Sequence, residues 1–344
     1  MDKSIQGYLG SLRIGEVQQF KNLTMVPVVS DYDDGLGYIT LGEALGSGAI
    51  EIREVSEGGS VPELSVVNKG DARVLVLDGE ELRGAKQNRV LNTSILIGGH
   101  SRLVVPVSCT EQGRWSYASP EFDESEIVAD RQVRYAMKES VNASLASGVG
   151  HRSDQGRVWH EVSALHTRHA TASPTGAMRD AYESRKVDLD AVLAAFPLQN
   201  GQQGVLVLHG ARVVGLDLVS RAPQYAELHD KLLRSYAFEA LVRDGEPGDR
   251  AVADAFLERI ADLPGRRYKS PGLGWDVRYE GGGVLGSALT YRGHAVHGAF
   301  FDVGGVRGAS VDGTPGGDPQ DTRRPLPDWR IADARERARR RQAR

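Results

Sequence analysis

The chain has 344 residues, of which 40% are hydrophobic and 26% charged, with a formal net charge of −4 and a single cysteine, Cys109. This composition is typical of a globular chain of about two domains and is too apolar for a wholly disordered one. The lone cysteine excludes an internal disulfide and a multi-cysteine zinc site. No apolar run reaches the ~18 residues of a membrane span, and the N-terminus lacks the apolar core of a secretion signal. The sequence therefore predicts a cytoplasmic protein without a membrane partner.

Residues 1–118 are predicted to form a β-rich domain. Short apolar runs between Met25 and Val107 are separated by Gly, Asp, Asn and Pro. This spacing is typical of an antiparallel sandwich or barrel. Within it, residues 94–97 and 103–107 are predicted to pair as a hairpin.

Residues 119–302 are predicted to form an α+β region packed on that domain. Its first helix is predicted to begin at Ser119-Pro120-Glu121, since Ser is a good cap and Pro suits the first helical position. The buried face of this helix recurs every four residues, at Val133, Met137, Val141 and Leu145. Further helices are predicted over 154–169, from Ser173 through Tyr182, from Pro223 onward and over 248–263.

The second half of the chain returns to strands. Apolar runs at 204–208 and 212–218 flank a compact hairpin signal. Three last strands, near 274–279, 284–291 and 294–301, form a β-meander. The predicted fold class is α+β, with a β-rich, sandwich- or barrel-like N-terminal half, central helices and a C-terminal β-meander with helices.

Residues 303–344 read as a separate Arg-rich tail. They carry ten arginines against six acids, a charge of +4, which leaves −8 on the rest of the chain. The tail is rich in Gly and Pro and has few apolar residues, so it is predicted to be disordered. Its arginines are the only feature that points to nucleic acid, and a solvated tail is the alternative.

One stretch concentrates polar residues between two predicted strands. Residues 78–89 hold three acids, three bases and two amides, where an ordinary hairpin loop needs about two to five residues. We expect a loop mounted on a rigid sheet, as binding groups often are. A second cluster, residues 108–115, follows a later strand, and the predicted hairpin brings Glu111 and Arg114 near the first.

These residue types suit a ligand that carries phosphate or sugar. Arginine forks bind phosphate, amides read hydroxyls or base edges, and an indole stacks on an aromatic ring. The predicted ligand-binding residues are Arg83, Lys86, Gln87, Asn88, Arg89, Asn92, Arg114 and Trp115. One partly buried carboxylate is the predicted general acid or base, with Glu80, Glu81 and Glu111 as candidates. The alternative is a structural network in which these acids pair with the arginines.

The same stretches carry a family resemblance. LDGEELRGAKQNRVLNTSILI, followed by VPVSCTEQGRW, resembles an uncharacterised bacterial domain family associated with ADP-ribosylglycohydrolases and rhodanese–phosphatase proteins. SPTGAM at 173–178, VVGLDL at 213–218 and LLRSYAFEAL at 232–241 fit the same family, which extends the resemblance over about residues 10–300. The resemblance implies a link to NAD or ADP-ribose metabolism and supplies no catalytic residues.

Other catalytic signatures are missing or misplaced. Four residues separate Cys109 from Arg114 where the phosphatase loop has five, so Cys109 is predicted to be a small buried side chain. GGGVLG at 281–286 falls in a predicted turn without a βαβ unit, which argues against a Rossmann site. Asp217 is predicted either to share a cavity with Arg234 or simply to pack locally. No metal site and no cofactor is predicted.

Two functions remain open. In the first, the chain binds or processes an ADP-ribose- or NAD-related or other phosphorylated nucleoside ligand at the polar cluster. If it is an enzyme, it is a hydrolase or processes a glycosidic bond with a carboxylate acid or base. In the second, it is a non-enzymatic interaction or scaffold protein whose cluster is a structural network. A homo-oligomer is predicted.

Overall fold

A computed structural model describes residues 1–33, 35–56, 58–241 and 245–304, with residue 239 described by its backbone alone. It is a mixed α+β structure with a strand-rich N-terminal half, as predicted, and the described residues form eight helices and eighteen strands in three sheets. The helices are α1 (Lys3–Gly10), α2 (Leu41–Gly46), α3 (Arg131–Ala146), α4 (Gln155–Arg168), α5 (Met178–Ser184), α6 (Lys186–Ala194), α7 (Ala222–Ala240) and α8 (Arg250–Ala261). The predicted tail lies outside the described residues, apart from 303 and 304.

The strands follow the same numbering along the chain. The first twelve are β1 (Arg13–Ile14), β2 (Gln18–Phe20), β3 (Leu23–Val29), β4 (Tyr38–Thr40), β5 (Ile50–Glu54), β6 (Glu63–Asn68), β7 (Arg73–Val76), β8 (Glu80–Gly84), β9 (Arg89–Leu91), β10 (Ile95–Ile97), β11 (Ser101–Cys109) and β12 (Phe122–Val128). The last six are β13 (Gln202–His209), β14 (Arg212–Val219), β15 (Gly265–Lys269), β16 (Trp275–Gly281), β17 (Val284–Tyr291) and β18 (His294–Asp302).

The largest sheet has nine antiparallel strands in the order β1-β3-β13-β14-β18-β17-β16-β15, with β2 paired to β3. Three N-terminal strands thus join a sheet that the second half of the chain otherwise forms. The predicted hairpin is confirmed as β13 and β14, and the predicted meander as β16 to β18. Apolar side chains of α7 cover one face of this sheet, and those of α1 and α8 cover the other.

The remaining strands form a six-stranded sheet, β12-β8-β9-β11-β6-β5, and a three-stranded one, β10-β7-β4. A separate apolar core lies between these two sheets. The predicted loop at 78–89 is wrong in part, because it contains β8, which pairs with both β12 and β9. Backbone pairing explains the change: Glu80, Glu81 and Arg83 lie in β8 and Arg89 lies in β9, so only residues 85–88 connect the two strands.

The predicted hairpin between residues 94–97 and 103–107 is also wrong. β10 pairs with β7, whereas β11 pairs with β6 and β9. Asn68 provides the physical reason, since its side-chain amide donates to Gly98 O (2.9 Å) and Ala72 O (2.8 Å). The backbone N–H of His100 also donates to Gly70 O at 3.0 Å. These bonds turn the chain from one sheet into the other.

The helix predicted from Ser119 begins instead at Arg131, after β12. The Ser119 hydroxyl accepts from Ala85 N (3.0 Å) and donates to Glu121 O (2.6 Å), so it is engaged in a loop contact. Asp130 is the actual cap, accepting from Gln132 N at 3.1 Å. The predicted apolar face of α3 is confirmed as buried.

No helix in the described ranges has both the length and the apolar character needed to cross a membrane.

Candidate functional site

Helix α3 buries a polar stripe beside its apolar one. Arg134, Lys138 and Asn142 follow one another at four-residue spacing, which places them on one face of the helix, and all three are buried. Opposite them lie two carboxylates, Asp78 just after β7 and Asp217 in β14. The stripe therefore faces acids from both the small and the large sheets.

Two ion pairs occupy the inner part of the stripe. Arg134 donates to both carboxylate oxygens of Asp217 at 2.8 and 2.6 Å, and Lys138 donates to Asp78 Oδ2 at 2.8 Å and to Ser287 Oγ at 2.5 Å. Burial raises the pKa of Asp78, but the charges of Lys138 and Arg134 outweigh it and hold that pKa well below its usual range. Asp217 is held ionised in the same way by Arg134. Buried ion pairs of this kind join elements of the fold. Arg134 Nε has no hydrogen-bond partner among the described residues.

The stripe continues onto β16. Arg278 lies directly opposite Ser287 in the strand register. Its Nη2 donates to Asp276 Oδ2 at 2.6 Å and to Thr93 Oγ1 at 2.8 Å. Burial raises the pKa of Asp276, but Arg278 outweighs it and the pKa is about 2. Asp276 is thus an anion that fixes one edge of the Arg278 guanidinium.

A cavity of about 650 Å³ opens where the stripe ends, between the second half of α3 and the last two strands of the large sheet, β15 and β16. Ligand pockets measure about 300–1,000 Å³, so the cavity can hold a small molecule. Strand alternation places Arg278 and Glu280 on the cavity face and Val277 and Tyr279 in the core on the other. The lining residues are Glu139, Asn142, Ala143, Ala146, Pro264, Arg266, Tyr268, Arg278 and Glu280.

Two buried polar atoms of the lining residues lack partners. Asn142 Oδ1 and Arg278 Nε make no hydrogen bond with any described residue, although Asn142 is 8% exposed and Arg278 4%. Buried polar atoms are nearly always hydrogen-bonded, and an exception calls for an explanation. Here one acceptor and one donor belong to residues that line the same cavity. Both residues therefore carry hydrogen-bonding capacity that no described residue uses.

The sequence-predicted residues lie elsewhere, in several separate contacts. Pairing of β11 with β9 brings Glu111, Arg114 and Asn88 together: Glu111 Oε2 accepts from Arg114 Nη2 (2.6 Å) and from Asn88 N (3.2 Å). Although burial raises the pKa of Glu111, hydrogen bonds from Arg114 and Thr175 outweigh it and lower that pKa. None of these three residues lines the cavity.

Both terminal nitrogens of Arg114 donate to acceptors of its own loop and of residues 84–88. Nη1 donates to Ala85 O (2.7 Å) and Ser116 O (3.0 Å), and Nη2 donates to Gly84 O (3.3 Å) as well as to Asn88 and Glu111. Lysine cannot reproduce this planar fork. We therefore expect Arg114→Lys to lower the free energy of unfolding by about 1–3 kcal/mol, measured by urea denaturation. An unchanged midpoint and slope would contradict this role.

Arg89 and Trp115 form a second contact. Buried Arg89 donates to Gln87 Oε1 (2.9 Å) and to Cys109 Sγ, and its guanidinium lies 5.6 Å from the Trp115 ring centroid. Lys86 Nζ also lies against the Trp115 ring, 5.4 Å from its centroid. Cys109 is buried, as predicted, and burial raises the pKa of its thiol to about 11. A thiol with that pKa is a poor nucleophile at neutral pH.

Two other predicted ligand-binding residues lie apart from these contacts. Arg83 is exposed and pairs with Asp123 at 3.1 Å. Asn92 donates to His151 O at 3.1 Å and accepts from Ser108 Oγ at 2.8 Å.

The two neighbouring carboxylates of β8 point to opposite faces of the strand. Glu80 accepts from Lys231 Nζ (2.8 Å) and Leu77 N (2.9 Å). Glu81 accepts from the hydroxyls of Thr110 and Ser125, both at 2.6 Å. Burial raises the pKa of Glu81 to about 7.

The cavity residues were not found from the sequence. The four-residue spacing of Arg134, Lys138 and Asn142 indicates a polar face on the helix, but only the apolar face of the same helix was considered. The alternation of Asp276, Arg278 and Glu280 likewise indicates one polar face of a strand. Asp217 pairs with Arg134, not with Arg234.

Comparison with known proteins adds one finding. A family model described as the ARG and Rhodanese-Phosphatase-superfamily-associated Protein domain, ARPP-1, matches residues 11–301. This match confirms the resemblance stated from the motifs. No curated protein and no solved structure matches the chain.

Proposed function

The chain belongs to the ARPP-1 domain family, which is associated with ADP-ribosylglycohydrolases and rhodanese–phosphatase proteins, and we propose that it binds a phosphorylated nucleoside related to ADP-ribose or NAD. The proposed binding site is the cavity between α3 and the strands β15 and β16. One observation carries the proposal: the unpartnered Asn142 Oδ1 and Arg278 Nε belong to residues that line one cavity of about 650 Å³.

The lining supports each part of such a ligand. Arg266 lies opposite Arg278 in the strand register, so two guanidiniums are available for phosphate oxygens. Tyr268 is half-buried on the same face of β15 and offers a ring for stacking. Asn142 Oδ1 accepts from a base amino group or a ribose hydroxyl. Glu280, exposed at the rim, is a further acceptor for ribose hydroxyls.

Hydrolysis of such a ligand would need a carboxylate at the cavity. Glu80, Glu81 and Glu111 do not line it, whereas Glu139 and Glu280 do. Glu139 is paired with Arg157 of α4. A general acid or base in this cavity would therefore be Glu280 or a released Glu139, and the proposal itself is one of binding.

The proposal is tested by calorimetric titration of ADP-ribose into the wild-type chain, Arg266→Ala and Arg267→Ala. Arg267 is the matched control, since it lies opposite Val277, whose side chain is in the core on the other face of the sheet. We expect Arg266→Ala to weaken affinity at least tenfold, about 1.4 kcal/mol, and Arg267→Ala to leave it unchanged. If neither ADP-ribose nor NAD binds the wild-type chain, the ligand class is wrong. Equal losses in both variants would place the ligand elsewhere.

The second candidate is a non-enzymatic, homo-oligomeric interaction or scaffold role. The observation that favours it is the use of both Arg114 terminal nitrogens by protein acceptors, as a structural network requires. Under this function Arg114→Lys changes the subunit count in sedimentation, and no nucleotide shifts the melting temperature. A monomeric wild-type chain would contradict it.

A further inference from the structure

A second pocket, of about 130 Å³, lies among β12, α5, α6 and α7 and shares no lining residue with the cavity. Its floor is Ser125, whose hydroxyl donates to Glu81 at 2.6 Å and whose carbonyl accepts from Arg179 Nη1 at 2.9 Å. These bonds fix the floor. The pocket volume is below the range typical of nucleotide-sized ligands, so its occupant is smaller.

Arg234 of α7 is the most available cation of this pocket. Its side chain is 25% exposed and makes no hydrogen bond with any described residue; its ion pair with Asp190 spans 3.7 Å. Lys186 is bonded to the same Asp190, so this carboxylate is shared between two cations. The positive charge of Arg234 is therefore only partly compensated. Because the side chain is partly desolvated, its attraction for an anion is stronger than it would be in water.

Arg179 of α5 adds a second guanidinium. Its Nε donates to Glu183 at 2.6 Å and its Nη1 to Ser125. Its Nη2 has no hydrogen bond within the described part of the chain. Two arginines with free donors at one small pocket form the arrangement that binds the oxygens of a phosphate group.

Glu126 distinguishes this pocket from a simple anion site. It sits at a bulge of β12, where the register with β8 shifts between Glu124 and Val128, and it has a left-handed φ of 58°. Left-handed backbone is unfavourable for a residue other than glycine and tends to persist where a side chain must be re-aimed. The bulge leaves Glu126 exposed and lining the pocket. Its carboxylate accepts hydroxyl groups and repels a bare anion.

We propose that this second pocket binds a phosphate monoester of a small polyol, such as a sugar phosphate. The phosphate lies between Arg179 and Arg234, and a hydroxyl of the carrier donates to Glu126. This proposal is independent of the proposed function, because ADP-ribose carries a diphosphate and its cavity uses other residues.

The test is calorimetric titration of ribose 5-phosphate and of inorganic phosphate into four chains. These are the wild type, Arg234→Gln, Glu126→Gln and Arg250→Ala, the last an exposed α8 arginine that serves as the charge control. We expect the wild type to bind ribose 5-phosphate at least tenfold more tightly than phosphate. Arg234→Gln loses at least tenfold in affinity for both, and Arg250→Ala is unchanged. In Glu126→Gln, the ratio of the affinity for ribose 5-phosphate to that for phosphate is expected to fall by at least threefold.

Further arms separate this proposal from the proposed function. Arg266→Ala is expected to leave ribose 5-phosphate binding unchanged, and Arg234→Gln to leave ADP-ribose binding unchanged. An unchanged far-UV circular dichroism spectrum shows that Arg234→Gln is folded. If Arg234→Gln does not fold, the test rests on Glu126→Gln: the proposal requires that this variant lower the affinity for ribose 5-phosphate relative to that for phosphate. Absence of ribose 5-phosphate binding to the wild type, or equal binding of phosphate and ester, overturns the proposal.

Discussion

Replacing Arg134 with methionine is expected to lower the free energy of unfolding by about 3–5 kcal/mol, the cost of breaking a buried ion pair from one side. Arg134 has no exposed side-chain surface, and both of its bonds to Asp217 are shorter than 3 Å. Methionine fills much of the space but leaves the Asp217 charge with the Tyr236 hydroxyl at 2.5 Å and His297 Nε2 at 3.8 Å. The loss is larger than that of an ordinary surface pair.

Urea denaturation at pH 7 measures this loss, with Arg157→Met as the matched control. Arg157 pairs with Glu139, and both side chains are 39% exposed. Exposed pairs contribute about 0–1 kcal/mol, so the control is expected to lose no more than that. The double variant Arg134→Met/Asp217→Asn is expected to recover part of the loss, because it no longer buries an unpaired charge. Equal losses in Arg134→Met and Arg157→Met would contradict the buried network.

The free energy of unfolding of Glu81→Gln is expected to exceed that of the wild type by up to about 3 kcal/mol at pH 8, because the wild type loses stability as the pH rises. The pKa of Glu81 is about 7 in the folded chain because of its burial, against 4.5 for an unperturbed glutamate. Between pH 4.5 and 7 the unfolded chain loses this proton while the folded chain keeps it, so wild-type stability falls as pH rises. Above pH 7 both states are ionised and the difference stays constant. Glutamine removes this dependence.

The measurement is the free energy of unfolding of both chains from pH 5 to 8, with Glu111→Gln as a control of opposite sign. The pKa of Glu111 is lowered, chiefly by the Arg114 hydrogen bond against the effect of burial. Its contribution to wild-type stability is present above pH 4.5 and is lost as the pH falls through the folded pKa. Glu111→Gln is therefore expected to be less stable than the wild type at pH 7. A difference between Glu81→Gln and the wild type that stays constant from pH 5 to 8 would contradict the assignment.

Local signals predicted the second half of the chain well and the first half less well. The β13–β14 hairpin and the closing meander are connected by short turns, so their partners are neighbours in sequence. Ser119-Pro120 carried an equally good helix-start signal, yet the Ser119 hydroxyl holds Ala85 and the following residues pair with β8. The partner that decided the outcome lies over thirty residues away, where local propensity carries no information.

The candidate site shows the same limit. The dense polar stretch at 78–92 was evident in the sequence, but acids and arginines in one place suit a ligand and an internal network equally well. Which of the two applies depends on the acceptors of Arg114, and Gly84 O and Ala85 O are backbone atoms that no motif reveals. The cavity residues come from 139–146 and 264–280, two segments that share no motif and meet only after α3 packs on the large sheet.

Hydrogen exchange of the wild-type chain, measured with and without saturating ADP-ribose, tests whether a nucleoside ligand occupies the cavity, since it reports where a ligand protects the backbone. We predict slower exchange in peptides covering residues 139–146 and 264–281, and unchanged exchange in those covering 83–92 and 111–115. Protection confined to 83–92 and 111–115 would place the ligand at the polar cluster. Protection nowhere in the chain would show that ADP-ribose does not bind. Either result would contradict the assignment of the cavity.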